Sequence, residues 1–382
     1  MKELLATVAA LFCSAMMTAQ NVSQFKVIDD SLFQNDDVYV KGNKYQRDAM
    51  LFVDMLADTH PYYVKKERRD LLFSDHDQLL KACAECTSDS AFVELLGGAL
   101  GELRDKHTDV IASGQYEAKM KASKDKEQSV AIDNNSTSVM AYKGDLFHYT
   151  LIPKKSVCYL QFNKCMDART MRNESLPRWD KTLDEMFAKM KEGNVKTLVV
   201  DAQYNNGGSS MLCDELLIRL CPLDQLKNYS SYMRFSRLMA AYNPRVGVAK
   251  KSWEEHGHID ELYQMPAGKK KPGFVQPEVF AGKVIFIQGE KTFSSAGILM
   301  TLARDNNIGV IVGTESTYSP SHYGEVLPFR LPNTGVLGSV SCKYFARPDA
   351  QHVDDKTLMP DVKIDLGDKD KAWEQILLLS QQ

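Results

Sequence analysis

Hydrophobic positions near the start of the chain follow a helical period. Met50, Val53, Met55 and Leu56, widened by Leu51 and Phe52, place an apolar stripe on a helix over Gln46–Leu56. The stripe stops near His60-Pro61, because proline disfavours helix in the residue before it. Phe92, Leu95, Leu96, Ala99, Leu100 and Leu103 form one face of a second helix over Ala91–Leu103. The segment 115–128 is charged and aperiodic, and reads as a solvated loop or hairpin.

The pattern then alternates. Val157–Phe162 is strand-like, Leu183–Lys191 helical through Leu183, Met186, Phe187 and Met190, and Thr197–Val200 a short apolar strand running into Asp201. A helix over Met211–Leu220, a strand over Lys283–Ile287, a helix over Ser295–Arg304 and a strand over Ile308–Val312 follow. Strands alternating with helices predict an α/β core. The stretch 242–282, rich in Pro, Gly and Lys, reads as an insert: a lid, a binding loop or a small appended element. The expected organisation is a helical N-terminal domain over 20–110 and an α/β core over 111–382 carrying that insert.

Composition narrows the class. The 382 residues hold 47 Lys plus Arg and 50 Asp plus Glu, a net charge of -3. This balance excludes a generally basic nucleic-acid footprint and a highly charged disordered chain. Met1–Gln20 pairs a basic Lys2 with the apolar run Leu4–Cys13 and a small-residue end, as a bacterial-type signal peptide over 1–19 does. The run is too short to span a bilayer, so the protein is expected to be exported, to the periplasm or beyond. Phe12 before Cys13 argues against a lipoprotein site. The remaining cysteines include Cys83-Ala84-Glu85-Cys86, which fits a surface disulfide or two plain helix cysteines; no second CxxC accompanies it. His256 and His258 lie in a Lys- and Glu-rich loop and read as solvated, so no metal is expected there.

Three segments hold candidate chemistry. His107 falls in a polar turn after the second helix, as a surface histidine or a base working near neutral pH. Asp201 to Gly208 joins a buried strand to a helix. Its paired glycines make a plain turn or a set of exposed N–H groups that hold an anion. Ser294, between a strand and a helix, is a helix cap or a nucleophile beside helix N–H groups. The G-x-S-x-G elbow of α/β-hydrolases is absent.

These segments occur in one order in a known family. LRDKHT is similar to its D-x-H-T segment, VVDAQYNNGG to its D-L-R-x-N-x-G-G segment, and KVIFIQGEKTFSSAG to its nucleophile segment. VGTESTYSPSHYGEVLPFRLPNTG, followed by Pro360-Asp361-Val362, is similar to its closing region. The chain therefore resembles the tail-specific (C-terminal processing) serine peptidases, in the branch of the tricorn core and interphotoreceptor retinoid-binding protein.

The resemblance implies a ClpP/crotonase-like β-β-α spiral core without a PDZ domain, a polypeptide substrate and no cofactor. It implies Ser294 as nucleophile, His107 as base and Asp354 as the acid. Ser295 N–H and an N–H at Gly207 or Gly208 would form the oxyanion hole. The alternative is an inactive peptide- or lipid-binding protein on the same fold. The lysine that another branch uses as base is missing, since its position falls in Tyr318-Ser319-Pro320. The chain also departs from the family pattern at Gly297, where glutamate is usual, at Ala202-Gln203, where Leu-Arg is usual, and in the shorter Asp354.

Overall fold

The computed structural model describes residues 24–127, 138–267 and 273–381. The expected leader and the lysine run 269–271 lie outside them. The strands are β1 (Lys26–Val27), β2 (Asp109–Ile111), β3 (Phe147–Ile152), β4 (Val157–Phe162), β5 (Thr197–Asp201), β6 (Ser230–Met233), β7 (Tyr263–Gln264), β8 (Lys283–Gln288), β9 (Val310–Gly313), β10 (His322–Arg330), β11 (Leu337–Ala346) and β12 (Val362–Lys363). Two compact units share them. One comprises residues up to 129 with 230–267 and 322–345; the other comprises 130–229, 268–321 and 346–382.

The first unit holds the expected helices, observed at Lys44–Thr59 and Asp89–Ala99, with a further helix at Lys66–Ala84. Asn43 starts the helix Lys44–Thr59 with a capping box: its side chain accepts from the backbone of Tyr45 and Gln46, and Gln46 returns a bond to the Asn43 N–H. These helices share one core with a six-stranded sheet of order β1-β10-β11-β6-β7, with β2 on β11. The strands come from distant parts of the sequence and carry no helical period. The segment 115–128, read as a loop, lies mostly in a helix, Ser113–Glu127. Its Ala, Lys, Glu and Met content favours helix without an apolar stripe to announce it. The stretch 242–282 holds a helix, Pro244–Glu255, and β7.

The second unit is α/β. Its six-stranded sheet runs β12-β9-β8-β5-β4-β3, parallel except for β3. Parallel neighbours need crossovers, and helices Trp179–Glu192 and Ser295–Asp305 supply them for β4 to β5 and β8 to β9. The run Leu198-Val199-Val200 is buried on both faces: Leu198 and Val200 join one apolar cluster, Val199 another with Ala372 and Ile376 of the C-terminal helix Lys369–Gln381. Both candidate loops, 201–208 and 289–295, leave the carboxyl ends of neighbouring strands, where parallel sheets place their sites. Among the described residues no helix is long and apolar enough to cross a membrane.

Candidate active site

In the second unit Ser294 stands at the N-terminal boundary of the helix Ser295–Asp305, at φ 53° and ψ −125°, and its side chain makes no capping hydrogen bond. A non-glycine residue there costs about 1–3 kcal/mol and persists only when its surroundings hold it. The turn thus has the backbone of a nucleophile elbow although the G-x-S-x-G motif is missing. Thr292 and Ala296 stand at the two glycine positions of that motif and are fully buried.

Three hydrogen bonds tie this turn to the glycine loop. Thr292 Oγ1 donates to the Ala202 carbonyl at 2.8 Å, Phe293 N–H to the Asn205 carbonyl at 3.0 Å, and Ser295 Oγ to the Gly208 carbonyl at 2.7 Å. Gly207 and Gly208 both have positive φ, 98° and 136°. A Cβ on Gly207 would sit 2.7 Å from Ser294 Cβ, and one on Gly208 would sit 2.4 Å from the Cys165 carbonyl oxygen. Glycine is required at both by conformation and by contact.

The loop's donors are not equivalent. Gly207 N–H is spent on Asn205 Oδ1 at 2.9 Å. Among the described residues, the N–H groups of Gly208 and Ser295 donate to no protein acceptor. Of the two glycines, Gly208 is therefore the one with a donor left for an oxyanion.

The departures from the family pattern have local reasons. A Cβ on Gly297 would sit 2.3 Å from the buried Tyr318 ring, so Tyr318 occupies the space of a longer side chain. Gln203 donates to the buried Asp201 through both its backbone N–H (3.0 Å) and its amide (2.7 Å). Burial raises the Asp201 pKa, against those bonds and one from the Tyr159 hydroxyl. Asp354 is exposed on the turn after His352, and its neighbour Asp355 pairs with Arg347.

His107 belongs to the first unit. Arg104, in a left-handed conformation (φ 50°), turns the chain out of the preceding helical segment into the loop that carries it. The loop is fastened to β11: Ser339 Oγ donates to the His107 carbonyl at 2.7 Å, and Ser341 N–H to Thr108 Oγ1 at 3.0 Å. The His107 side chain is 17% exposed, its Nδ1 3.4 Å from Asp105 Oδ1. That same oxygen accepts the His107 backbone N–H at 2.9 Å. Asp105 Oδ2 accepts Thr108 Oγ1 at 2.6 Å and contacts His60 Nε2 at 3.1 Å. Burial alone would raise the Asp105 pKa, but the interactions with His107 and His60 outweigh it and hold the carboxyl well below its usual range.

The two units thus hold different parts of the expected set: Ser294, Ser295, Gly207, Gly208 and Asp354 in one, His107 in the other. Among the described residues the cysteines are free, and Cys83 and Cys86 form no disulfide. His258 stacks on Trp253 at 4.2 Å and contacts Glu261 at 2.9 Å, while His256 contacts the Ser252 carbonyl.

The model of peptidase family S41 matches residues 156–364, more than half of the chain. The chain belongs to peptidase family S41. This S41 member is a serine-type peptidase, and its substrates are polypeptides. Mature CPAF complexed with lactacystin matches it with a TM-score of 0.56 at 14% identity, over 88% of this chain and 97% of that one. A peptidase candidate from Parabacteroides merdae ATCC 43184 matches with a TM-score of 0.54 at 17% identity, over 87% and 96%. These likenesses show the fold, and with it the α/β class read from the sequence. No curated protein matches the chain.

The sequence reading of this peptidase passed over Asp105, Thr108, Asn205 and His60. The Asp105-x-His107 spacing was a usable signal for the first. His60 was visible only as the end of a helix, since its partner lies far along the chain.

Proposed function

We propose that this S41 peptidase cleaves peptide bonds through Ser294, with His107 as general base in the manner of the family's histidine-using branch. Ser294 Oγ attacks the scissile carbonyl carbon as His107 Nε2 takes its proton. Ser295 N–H and Gly208 N–H receive the oxyanion. His107 then returns the proton to the leaving amine, and water hydrolyses the acyl-enzyme by the same steps. The resemblance gives the acid role to Asp354. We give the orienting role to Asp105, the carboxylate beside the His107 ring.

The single observation that carries the reading is the strained Ser294 turn with unspent N–H groups beside it. A helix cap needs no such backbone, whereas the nucleophile elbow of the α/β-hydrolases has a strained one. Export belongs to the same proposal and is supported by the sequence of residues 1–19; N-terminal sequencing of protein recovered outside the cytoplasm tests it.

The peptidase site is tested by labelling with a fluorophosphonate probe and by hydrolysis of an unfolded protein substrate. Ser294→Ala is expected to abolish labelling, and His107→Ala to slow both reactions by about 1,000-fold or more. Undiminished labelling in His107→Ala would remove the histidine from the mechanism.

A further inference from the structure

We propose that His60 is a positioning residue of the peptidase site, setting the orientation and tautomer of His107 through Asp105. This deepens the reading above and rests on His107 being the base.

His60 ends the helix Lys44–Thr59, where its backbone N–H donates to the Leu56 carbonyl at 3.0 Å. It also starts the short 3-10 turn Pro61–Val64 as its cap. Its ring has no solvent exposure and packs against Tyr323 at 4.6 Å between ring centres. The Tyr62 backbone N–H donates to His60 Nδ1 at 3.1 Å. A backbone N–H can only donate, so Nδ1 holds the lone pair and Nε2 carries the proton. Nε2–H therefore donates to Asp105 Oδ2 at 3.1 Å.

The Asp105 carboxylate is 1% exposed and lies between two imidazoles. On Oδ2 it receives His60 and Thr108; on Oδ1 it receives the His107 backbone and faces the His107 ring. The two bonds on Oδ2 stop the carboxylate from rotating about its own axis. Oδ1 is thereby aimed at His107 Nδ1, which favours the tautomer with a proton on Nδ1 and a lone pair on Nε2. Only that tautomer accepts a proton from a serine. Burial keeps His60 neutral against the pull of Asp105, with the Arg234 charge adding to the same effect.

The two ring nitrogens separate a capping role from a positioning role. His60→Asn keeps an acceptor for the Tyr62 N–H but is too short to reach Asp105. His60→Gln loses the cap and keeps a donor at the place of Nε2. Fluorophosphonate labelling rates and peptide kinetics of both variants are compared with the unaltered protein and with His107→Ala. His60→Asn is expected to lower kcat by about 10-fold or more with KM within about twofold, while His60→Gln stays within about threefold of the unaltered rate.

The His107 tautomer is read independently by long-range nitrogen–proton correlations. It should be the Nδ1–H form in the unaltered protein and in His60→Gln, and a mixture in His60→Asn. The proposal is overturned if His60→Asn keeps both rate and tautomer, or if His60→Gln is the more damaged variant. Should the unaltered protein not label at all, the peptidase reading of Ser294 and His107 fails, and the tautomer measurement still decides the role of His60.

Discussion

Gly207 has two reasons to be glycine, its φ of 98° and the 2.7 Å that a Cβ would leave to Ser294 Cβ. Either alone makes a substitution unfavourable, and together they couple loop strain to the nucleophile. Gly207→Ala is expected to lower stability by about 1–3 kcal/mol and to slow labelling of Ser294 more than tenfold, read from urea denaturation and probe kinetics. Full labelling in this variant would show that the turn tolerates movement of Ser294. The need for glycine at 207 and 208 was legible in the sequence. The division of labour between them was not: Gly207 N–H is consumed by Asn205, two residues earlier, and only the folded turn reveals it. Gly297 is a similar case, because the residue that fills its space is Tyr318.

Elements are joined by buried polar anchors as well as by apolar stripes. Asp48, fully buried on the helix Lys44–Thr59, accepts from the turn between β10 and β11. Asn333 N–H and Nδ2 reach Oδ1 at 3.2 and 2.8 Å, and Thr334 N–H and Oγ1 reach Oδ2 at 2.6 and 2.7 Å. Asp48→Ala leaves four donors without this acceptor. It is expected to cost about 3 kcal/mol, seen as a lower midpoint in chemical denaturation. A loss under about 0.5 kcal/mol would mean that water replaces the carboxylate. The helix itself was legible from its stripe. The anchor was not, because an aspartate within a helix reads as an exposed charge until its partners from a distant hairpin are known.

Across the whole molecule, the buried pair His60 and Asp105 makes stability fall as the solution is acidified. Burial lowers the His60 pKa from its usual 6.5, so the unfolded chain takes up that proton first as pH falls. The stability His60 contributes is therefore present above about pH 6.5 and lost below it. Asp105 has the same sign in a more acidic window: its stabilisation is present above about pH 3.8 and lost on further acidification, because its folded pKa lies below its unfolded one. Between pH 7 and pH 5, above the Asp105 window, replacing His60 removes the His60 contribution. The fall in denaturation midpoint from pH 7 to pH 5 is expected to be smaller in His60→Gln than in the unaltered protein, and an equal fall would place the titrating group elsewhere.

The sequence by itself determined the α/β class, the alternation of strands and helices from Val157 onward, the two loops and the membership of the S41 family. These rest on local periodicity and on short motifs whose residues are neighbours in the chain. Tertiary structure decided the make-up of the first unit, whose sheet is assembled from β1, β2, β6, β7, β10 and β11. It also decided the strained backbone of Ser294, the donor left at Gly208, and the burial of Asp105 between His60 and His107. The sheet, the Ser294 turn and the burial of Asp105 depend on hydrogen bonds or contacts between residues far apart in the chain, the donor left at Gly208 on the folded geometry of its own loop, and the pattern of a single segment carries no record of either.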